Sequence, residues 1–402
     1  MAIDLKVFTL NCWGLRGISK NRKTRINAIA EVLSKKDYDV ICLQEVWMDK
    51  DYQTIKLKLE EVLPYSHYFY SGVVGSGVCI FSKHFIEEAF FHHWSVNGYI
   101  HKLHHGDWWA GKGVGLCRLK IETDECNYHV NIYSAHLHAE YNRATDDYLA
   151  HRILQAYDTA QFILLTSGTA DLVVLAGDLN TEPDDLAYRI ILNVPGLTDS
   201  YLKANNTDQD GFATCESYLN SYTNSAAIRN RELGKRIDYV LYHPGSNVRV
   251  DFKSYSLPLP ARIPQQCFSF SDHEAILVEF KISKQGTPNR DLPDLNSKKI
   301  VLEKSIFLCQ KALKSIKRTE YLYWLGVCLS LMLLVGSLIL PATRIDFVVE
   351  NIRPVLSVLL VIFTISTIFC VLMATIWTRI EKHGVLSGIL AMEKSLRVLI
   401  HE

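Results

Sequence analysis

The C-terminal quarter of the chain contains two long segments without a charged residue, and they constrain its fold more than any other feature. One segment runs from Tyr321 to Leu340 and the other from Pro354 to Thr378. Each is long enough to cross a hydrocarbon core about 30 Å thick as an α-helix. A single such segment could be the core helix of a soluble domain. Two of them, separated by a short polar turn, predict a transmembrane hairpin.

The basic residues around this hairpin predict its orientation. The connecting turn carries Arg344 and Arg353, whereas the outer flanks are richer in lysine and arginine, with Lys311, Lys314, Lys317 and Arg318 before the hairpin and Arg379, Lys382, Lys394 and Arg397 after it. The positive-inside rule therefore places both flanks in the cytosol. We expect the rest of the chain to follow them there, at an intracellular membrane such as the endoplasmic reticulum.

Composition agrees with a cytosolic body and excludes some functions. The 10 cysteines form no CxxC pair, which fits reduced thiols rather than a zinc site or a disulfide framework. The first residues lack the basic flank and the apolar core of a signal peptide. A glycosylation sequon at Asn205 would be a chance match in a cytosolic domain. Lys plus Arg and Asp plus Glu both number 43, so no net positive charge attracts nucleic acid.

Before the hairpin, apolar runs alternate with segments of helical periodicity. Unbroken runs such as Val40–Leu43 and Leu172–Ala176 are typical of strands buried on both faces. The spacing of Ile26, Ile29 and Leu33 predicts a helix. Further predicted elements are a strand hairpin over 114–121 and 128–134, a helix over 145–166, and strands over 237–242 and 275–282. This irregular order predicts a layered α/β body with a two-sheet core.

Composition also divides the chain into four parts. We predict a body over residues 1–284, a linker and juxtamembrane segment over 285–320, two membrane spans within 321–378, and an amphipathic cytosolic tail over 379–402. The linker prediction rests on the Pro, Gly and Asn residues that are concentrated between Gln285 and Lys299.

Polar side chains stand where several predicted strands end, a position from which a rigid sheet can hold catalytic groups. Each has an ordinary alternative explanation as a turn former, a cap or a surface residue. Asp272 and His273 are neighbours on an extended chain and should point to opposite faces, so Asp238 is the better candidate to orient His273. The full set is Asn11, Glu45, His136, Asp178, Asn180, Asp238, Asp272 and His273.

In this order, the set resembles the signature of the deoxyribonuclease-I-like endonuclease/exonuclease/phosphatase superfamily. That resemblance implies a four-layer α/β sandwich of two packed sheets, with the hairpin following it. Additional motifs are similar to those of neutral, magnesium-dependent sphingomyelinases of the animal type with a C-terminal hairpin. They lie at Leu10–Gly14, Gln44–Trp47, His104–Trp108, Gly111–Leu116 and His136–Asn142.

The resemblance implies hydrolysis of sphingomyelin to ceramide and phosphocholine. Glu45 would hold Mg²⁺, with Asn11 in its shell, and His273, oriented by Asp238, would be the general base. Asn180 and His136 would donate to phosphate oxygens. Asp178 and Asp272 would position the attacking water or help to bind a second ion. Two alternatives remain: a phospholipase C acting on choline lysophospholipids, and a catalytically inactive membrane scaffold.

Four residues in or beside two of these motifs are candidates for substrate binding or regulation: Asp107, Trp108, Trp109 and Lys112. Asp107 and Lys112 have the spacing of an acid–base pair that is thought to switch the active site in related membrane sphingomyelinases. The alternative is a solvated ion pair in a loop, which would contribute about 0–1 kcal/mol. Trp108 and Trp109, with Trp94 and Tyr99, could lie at the bilayer interface or face a choline cation, although aromatic residues are more often part of a core.

The predicted orientation can be tested on sealed microsomes. Added protease should digest residues 1–320 and leave little beyond the hairpin, because both flanks of the hairpin face the outside of the vesicle. The same digestion after detergent permeabilisation is the control. Protection of the N-terminal body in sealed vesicles, or a glycan on Asn205, would show that the orientation is reversed.

Overall fold

The computed structural model describes residues 2–102, 105–204, 213–284, 287–289, 294–339 and 346–401. The chain divides into two compact units, Met1–Val301 and Leu302–Glu402. Asn205 and His104, each part of a motif noted above, lie outside the described residues.

The first unit contains two six-stranded mixed sheets. In chain order the strands are β1 (Ala2–Asn11), β2 (Val40–Gln44), β3 (Tyr65–Tyr68), β4 (Cys79–Ser82), β5 (Phe85–His93), β6 (Gly113–Glu122), β7 (Asn127–His136), β8 (Leu172–Asp178), β9 (Thr198–Asp199), β10 (Asp238–Pro244), β11 (Arg249–Ser256) and β12 (Ile276–Ser283). The first sheet has the order β11-β12-β1-β2-β4-β3, and the second has the order β5-β6-β7-β8-β10-β9.

Six helices in the described part of the chain accompany the two sheets, and the longer ones cover the outer faces of the sheets. In chain order they are α1 (Arg22–Ser34), α2 (Asp49–Leu59), α3 (Leu149–Thr166), α4 (Leu186–Asn193), α5 (Ser200–Lys203) and α6 (Ser225–Asn230), with a 3-10 turn at Gly106–Trp109. Helices α1 and α2 pack on the first sheet, and α3 packs on the second sheet and on α4. The result is the predicted four-layer α/β sandwich.

Strand β1 shows how the sequence specifies these layers. Successive side chains of a strand point to opposite faces of its sheet. Leu5 and Val7 belong to the apolar core between the two sheets, whereas Phe8 and Leu10 belong to the core beneath α1 and α2. Both faces are therefore apolar, and this is why such strands read as continuous hydrophobic runs.

Most predicted elements are confirmed, and the exceptions have physical causes. Strands β6 and β7 form the predicted antiparallel hairpin, and the helix predicted over 145–166 begins at Leu149. Sequence reasoning missed β5 and β11. The pairing register shifts between Ile86 and Glu88 in β5 and between Phe252 and Ser254 in β11. Such a bulge interrupts the two-residue periodicity by which a strand is recognised.

The second unit is built from long helices. They are α7 (Leu295–Ile339), α8 (Asp346–Leu372) and α9 (Thr378–His401), with a π-helical turn at Met373–Trp377 between α8 and α9. Helix α7 therefore begins inside the segment predicted as linker, and α9 covers most of the predicted tail. The domain boundaries themselves remain predictions.

Within this unit, helices α7 and α8 are in contact and two stretches are suited to a membrane. The hydroxyl groups of Ser330 and Ser366 are 3.0 Å apart. By length and composition, two described helical stretches could cross a membrane. One is α7, Leu295–Ile339, and the other is Pro354–Ile400, which runs from α8 through the π-helical turn into α9. Most large apolar side chains of the predicted spans are exposed, unlike those of a soluble core helix.

Buried residues of the second unit recur at intervals of seven. Leu302, Cys309 and Ile316 are buried on α7, and Thr378, Val385 and Met392 are buried on α9. A repeat of seven residues is the spacing at which one face of a helix stays against a neighbour in a coiled coil. These parts of α7 and α9 therefore have the burial pattern of helices packed along one face.

Gly177, near the end of β8, offers a test of the packing between strands. Its φ is +142°, and an added Cβ would lie 2.2 Å from the carbonyl oxygen of Ala135 on β7. Gly177→Ala should therefore lower the free energy of unfolding by about 2 kcal/mol or more. The measurement is urea denaturation of the detergent-solubilised protein followed by tryptophan fluorescence.

Gly168→Ala is the matched control, because a Cβ at Gly168 meets nothing within 4 Å. Equal stability of the two variants would contradict this account of Gly177.

Candidate active site

The two sheets bring the predicted site residues to one edge of the sandwich. Asn11 ends β1 and Glu45 follows β2, which is parallel to β1. His136 ends β7 and Asp178 ends β8, and these strands are also parallel. Strand β10 runs antiparallel to β8, so its first residue, Asp238, lies opposite Asp178. His273 precedes β12, which runs antiparallel to β1 and therefore starts at the same edge.

The side chain of Asn11 joins the two sheets at this edge. Its Nδ2 donates to Oε1 of Glu45 (3.1 Å) and to Oδ2 of Asp178 (2.9 Å). Its Oδ1 accepts a hydrogen bond from the backbone N–H of Trp13 (2.9 Å). Asn11 is buried, so one amide holds two carboxylates from different sheets close together.

His273 is oriented by Asp238, as the sequence predicts. Its Nδ1 is 2.8 Å from Oδ2 of Asp238, and its Nε2 faces Oδ2 of Asp178 at 3.9 Å. Burial alone would lower the pKa of His273, but the Asp238 carboxylate raises it well above the ordinary value. Asp272 contacts Ser271 instead: the Ser271 hydroxyl is 3.2 Å from Oδ1 of Asp272 and donates to the backbone oxygen of Asn11 (2.6 Å).

Asn180 and His136 flank Asp178 on its other side. The backbone N–H of Asn180 donates to Oδ1 of Asp178 (2.9 Å), and its Nδ2 donates to the backbone oxygen of Leu137 (3.0 Å). Nε2 of His136 is 3.6 Å from Oδ2 of Asp178 and 3.9 Å from Oε1 of Glu45. Burial and the positive charge of Lys112 lower the pKa of His136 well below its usual value, so its imidazole is neutral.

Lys112 is part of this site rather than part of a solvated loop. Its side chain is 1% exposed, and Nζ lies 2.6 Å from Oδ1 of Asp107. Nζ also donates to the backbone oxygen of Leu137 (3.0 Å) and contacts Nε2 of His136 (3.3 Å). These contacts engage all three ammonium hydrogens. The interpretation of Asp107 and Lys112 as an exposed ion pair is therefore wrong.

Asp107 is held by several further donors. Its Oδ2 accepts from the backbone N–H of Ala139 (3.0 Å) and from the hydroxyl of Tyr141 (3.3 Å), and it lies 3.3 Å from Nδ1 of His138. Burial opposes the charge of this carboxyl, but Lys112 and the neighbouring histidines hold its pKa well below its usual range. Asp107 is therefore ionised and fixes the position of Lys112.

The central carboxylates of the site are those of Glu45, Asp178 and Asp272, and all three are buried. Burial raises the pKa of Glu45 and of Asp272, and burial with the charge of Asp238 raises the pKa of Asp178 to about 7. Among the described residues, no lysine or arginine forms an ion pair with any of these three. A buried group of oxygen donors in this condition fits a hard divalent cation.

The structure also brings together a second candidate ligand group. One ligand atom from each of Asp178, Asp238 and His273 lies within 4.8 Å of the others. The sequence predicts Glu45 and Asn11 as ligands. In the structure the Asn11 amide nitrogen faces the two carboxylates, so its ligand role remains a prediction.

Three residues of the site receive no role from the sequence, although Trp47 lies in one of the motifs. Nε1 of Trp47 donates to Oε2 of Glu45 (3.4 Å). The buried guanidinium of Arg25 donates to the backbone oxygens of Cys12 (2.7 Å), Trp13 (2.6 Å) and Phe270 (3.1 Å). Ser271 is the third, through its bond to Asn11. Arg25 carries no sequence signal, because its position on a helix is that of an ordinary surface arginine.

The aromatic residues near Lys112 do not all fit a bilayer or choline contact. Trp94 is fully buried, with Nε1 donating to Thr159 (3.2 Å), so its predicted place at an interface is wrong. Trp108 and Trp109 stack on each other, with ring centroids 4.0 Å apart. Trp109 is 42% exposed. In the part of the chain that the structure describes, neither indole is hydrogen-bonded to a catalytic side chain, and their role remains a prediction.

This architecture and site define the class of the protein. The sequence pattern of the endonuclease/exonuclease/phosphatase family matches residues 8–273, which include Asn11 through His273. The chain therefore belongs to that family. The crystal structure of sphingomyelinase C from Streptomyces griseocarneus has the same fold, with a TM-score of 0.50 and 20% identity over 69% of this chain and 99% of that chain.

Sequence similarity narrows the assignment to neutral sphingomyelinases. A Drosophila melanogaster protein assigned to that group is 35% identical over 100% of this chain and 98% of its own length. Human sphingomyelin phosphodiesterase 2 is 40% identical over 69% of this chain and 64% of its own length. The similarity to the Drosophila melanogaster protein extends over the second unit with its long apolar helices.

Proposed function

We propose that this protein hydrolyses sphingomyelin to ceramide and phosphocholine in a Mg²⁺-dependent reaction. The observation that carries the proposal is the His273–Asp238 pair, which faces Asp178 beside Glu45 and Asn11 at one edge of the sandwich. Similarity to sphingomyelin phosphodiesterases supports the substrate class. The two apolar helices support a substrate that lies in a membrane.

Glu45 would hold the cation, with Asn11 and Asp272 nearby. When bound, Mg²⁺ supplies positive charge where negative charge develops on the phosphate and the leaving oxygen. Asn11 holds Glu45 and Asp178 in place, and Arg25 fixes the backbone that follows Asn11 and the backbone that precedes Asp272. These contacts preorganise the site before substrate arrives.

His273 would remove the proton from the attacking water through Nε2. Its Nδ1–H donates to Asp238, which orients the ring and stabilises the imidazolium that forms. Asn180 would donate to a non-bridging phosphate oxygen. His136 can do the same only with its proton on Nε2, the nitrogen that now contacts Lys112. Lys112 therefore has to give up this contact, and the freed N–H can itself face the phosphate.

The protein would act on the cytosolic leaflet of an intracellular membrane such as the endoplasmic reticulum. The distribution of lysine and arginine around the hairpin supports this orientation. Choline lysophospholipids present the same headgroup and are the alternative substrate. An inactive scaffold is disfavoured, because every side chain that the resemblance implies as catalytic is present in the sequence, and His273 and Asp238 are in contact.

A lipid panel with and without Mg²⁺ tests the reaction. Purified full-length protein should release phosphocholine from sphingomyelin faster than from lysophosphatidylcholine in the same detergent, and a chelator should abolish release.

His273→Ala should lower kcat by about 100-fold or more, because the general base is lost. Glu45→Gln should lose activity mainly through the metal, so excess Mg²⁺ should restore part of it.

His129→Ala, which removes a surface histidine paired with Glu87, is the matched control and should retain full activity. Near-normal turnover by His273→Ala would exclude this site. Release that is insensitive to chelation would exclude the metal dependence.

The pH dependence follows from the state of His273. The base must be unprotonated, so kcat/KM should rise with pH as His273 loses its proton, and the rising limb of the pH profile should lie above the pH at which an ordinary histidine titrates. Because Asp238 raises the pKa of His273, Asp238→Asn should lower that pKa and move the rising limb to lower pH, with a smaller plateau. Asp251→Asn, on β11, should leave the limb in place. An optimum in the acid range, or an unmoved limb in Asp238→Asn, would contradict the assignment.

A further inference from the structure

Two loops at the active-site edge expose apolar side chains to water. Tyr70 is 67% exposed, Val73 77%, Val74 39% and Trp109 42%. We call these four residues the apolar rim. Three of them lie in the connection between β3 and β4, and the fourth ends the 3-10 turn that precedes Lys112.

The rim is one surface and is attached to the catalytic site. The backbone N–H of Val73 donates to the backbone oxygen of Trp109 (3.2 Å), and that of Gly111 donates to the backbone oxygen of Gly75 (3.2 Å). A Cβ added to Gly72 would lie 2.3 Å from the nitrogen of Gly111, so these two backbones approach as closely as glycine permits. The next residue after Gly111 is Lys112, whose ammonium contacts His136.

The rim carries no exposed charge. The chain has no Asp, Glu, Lys or Arg between Tyr65 and Ser82. On the second loop, Asp107 and Lys112 neutralise each other in a buried pair, and Lys102, earlier in the same loop, is paired with Asp147. An exposed loop of a soluble protein normally carries charged residues, whereas a loop that enters the headgroup region of a bilayer avoids the cost of desolvating them.

We infer that the apolar rim docks the active site onto the lipid surface by inserting its side chains into the bilayer interface. This inference rests on the proposed function and names the surface by which the site meets its substrate. The long apolar helices of the same chain keep a bilayer close to it, and a substrate held in that bilayer requires this edge of the sandwich to face the lipid. Valine and tryptophan supply the apolar and interfacial contacts.

The experiment compares lipid-presented and soluble substrates in the same preparation. Full-length Val73→Asp/Val74→Asp protein is reconstituted into phosphatidylcholine vesicles that contain sphingomyelin. Turnover of sphingomyelin should fall about tenfold or more relative to the unmodified protein, because two carboxylates now oppose insertion. Turnover of a water-soluble aryl ester of phosphocholine should stay within about twofold, since both valine side chains are exposed and neither is one of the proposed catalytic groups.

Leu164→Asp/Leu165→Asp is the matched control. These leucines are 40% and 82% exposed at the end of α3, away from the site, and their replacement should leave both activities unchanged. Val73→Ser/Val74→Ser should give a smaller loss on vesicles, because it removes apolar surface without adding charge.

Three outcomes would overturn the inference: no loss on vesicles, an equal loss on both substrates, or an equal loss in the leucine control. An equal loss on both substrates would show that the loop supports the catalytic residues rather than meeting lipid. If the proposed function itself is wrong, the unmodified protein will fail on both substrates, and the two failures are thereby distinguished.

Discussion

The site depends on the burial of several carboxylates at the junction of two sheets. Glu45 comes from one sheet and Asp178 from the other, and the Asn11 amide donates to both. Without this amide, two buried acids would face each other with no donor between them, which is unfavourable. Asp178 also faces His273, which Asp238 orients. His136 and Asn180 lie against the same carboxylate. These hydrogen bonds therefore fix the carboxylate oxygens in an arrangement that fits a cation.

The backbone at the ends of the site strands is held in uncommon conformations. Trp13, Glu45 and Asn180 have φ values of +44°, +56° and +44°, in the left-handed region that residues other than glycine seldom adopt. Each follows a strand of the central sheets within two residues. Such strain persists only where the surroundings hold it in place, and here Arg25, Asn11 and Asp178 supply the bonds. The sharp change of direction aims these side chains across the edge instead of along the sheet.

The sequence alone predicts the layers and most of the site, because strand ends and family motifs are local features. It correctly pairs His273 with Asp238, since the period of an extended chain excludes Asp272. It does not identify Arg25 or Ser271, whose roles depend on carbonyl groups that approach only after folding. The sequence also does not show which residues of a loop are buried. Asp107, Lys112 and Trp94 lie in a segment that reads as an exposed loop, and only the packing of its neighbours shows that they are enclosed.

The seven-residue spacing on α7 and α9 limits how this part of the chain can change in length. One added residue turns everything beyond it by about 100° around the helix axis, which would move Leu302 or Val385 from the packed face into water. Seven added residues nearly restore the phase. A change in length by seven residues therefore keeps the buried face of these helices, whereas a change by one residue does not. In the π-helical turn at Met373–Trp377 each hydrogen bond spans one residue more than in an α-helix, so the faces of α8 and α9 are offset from each other in the same way.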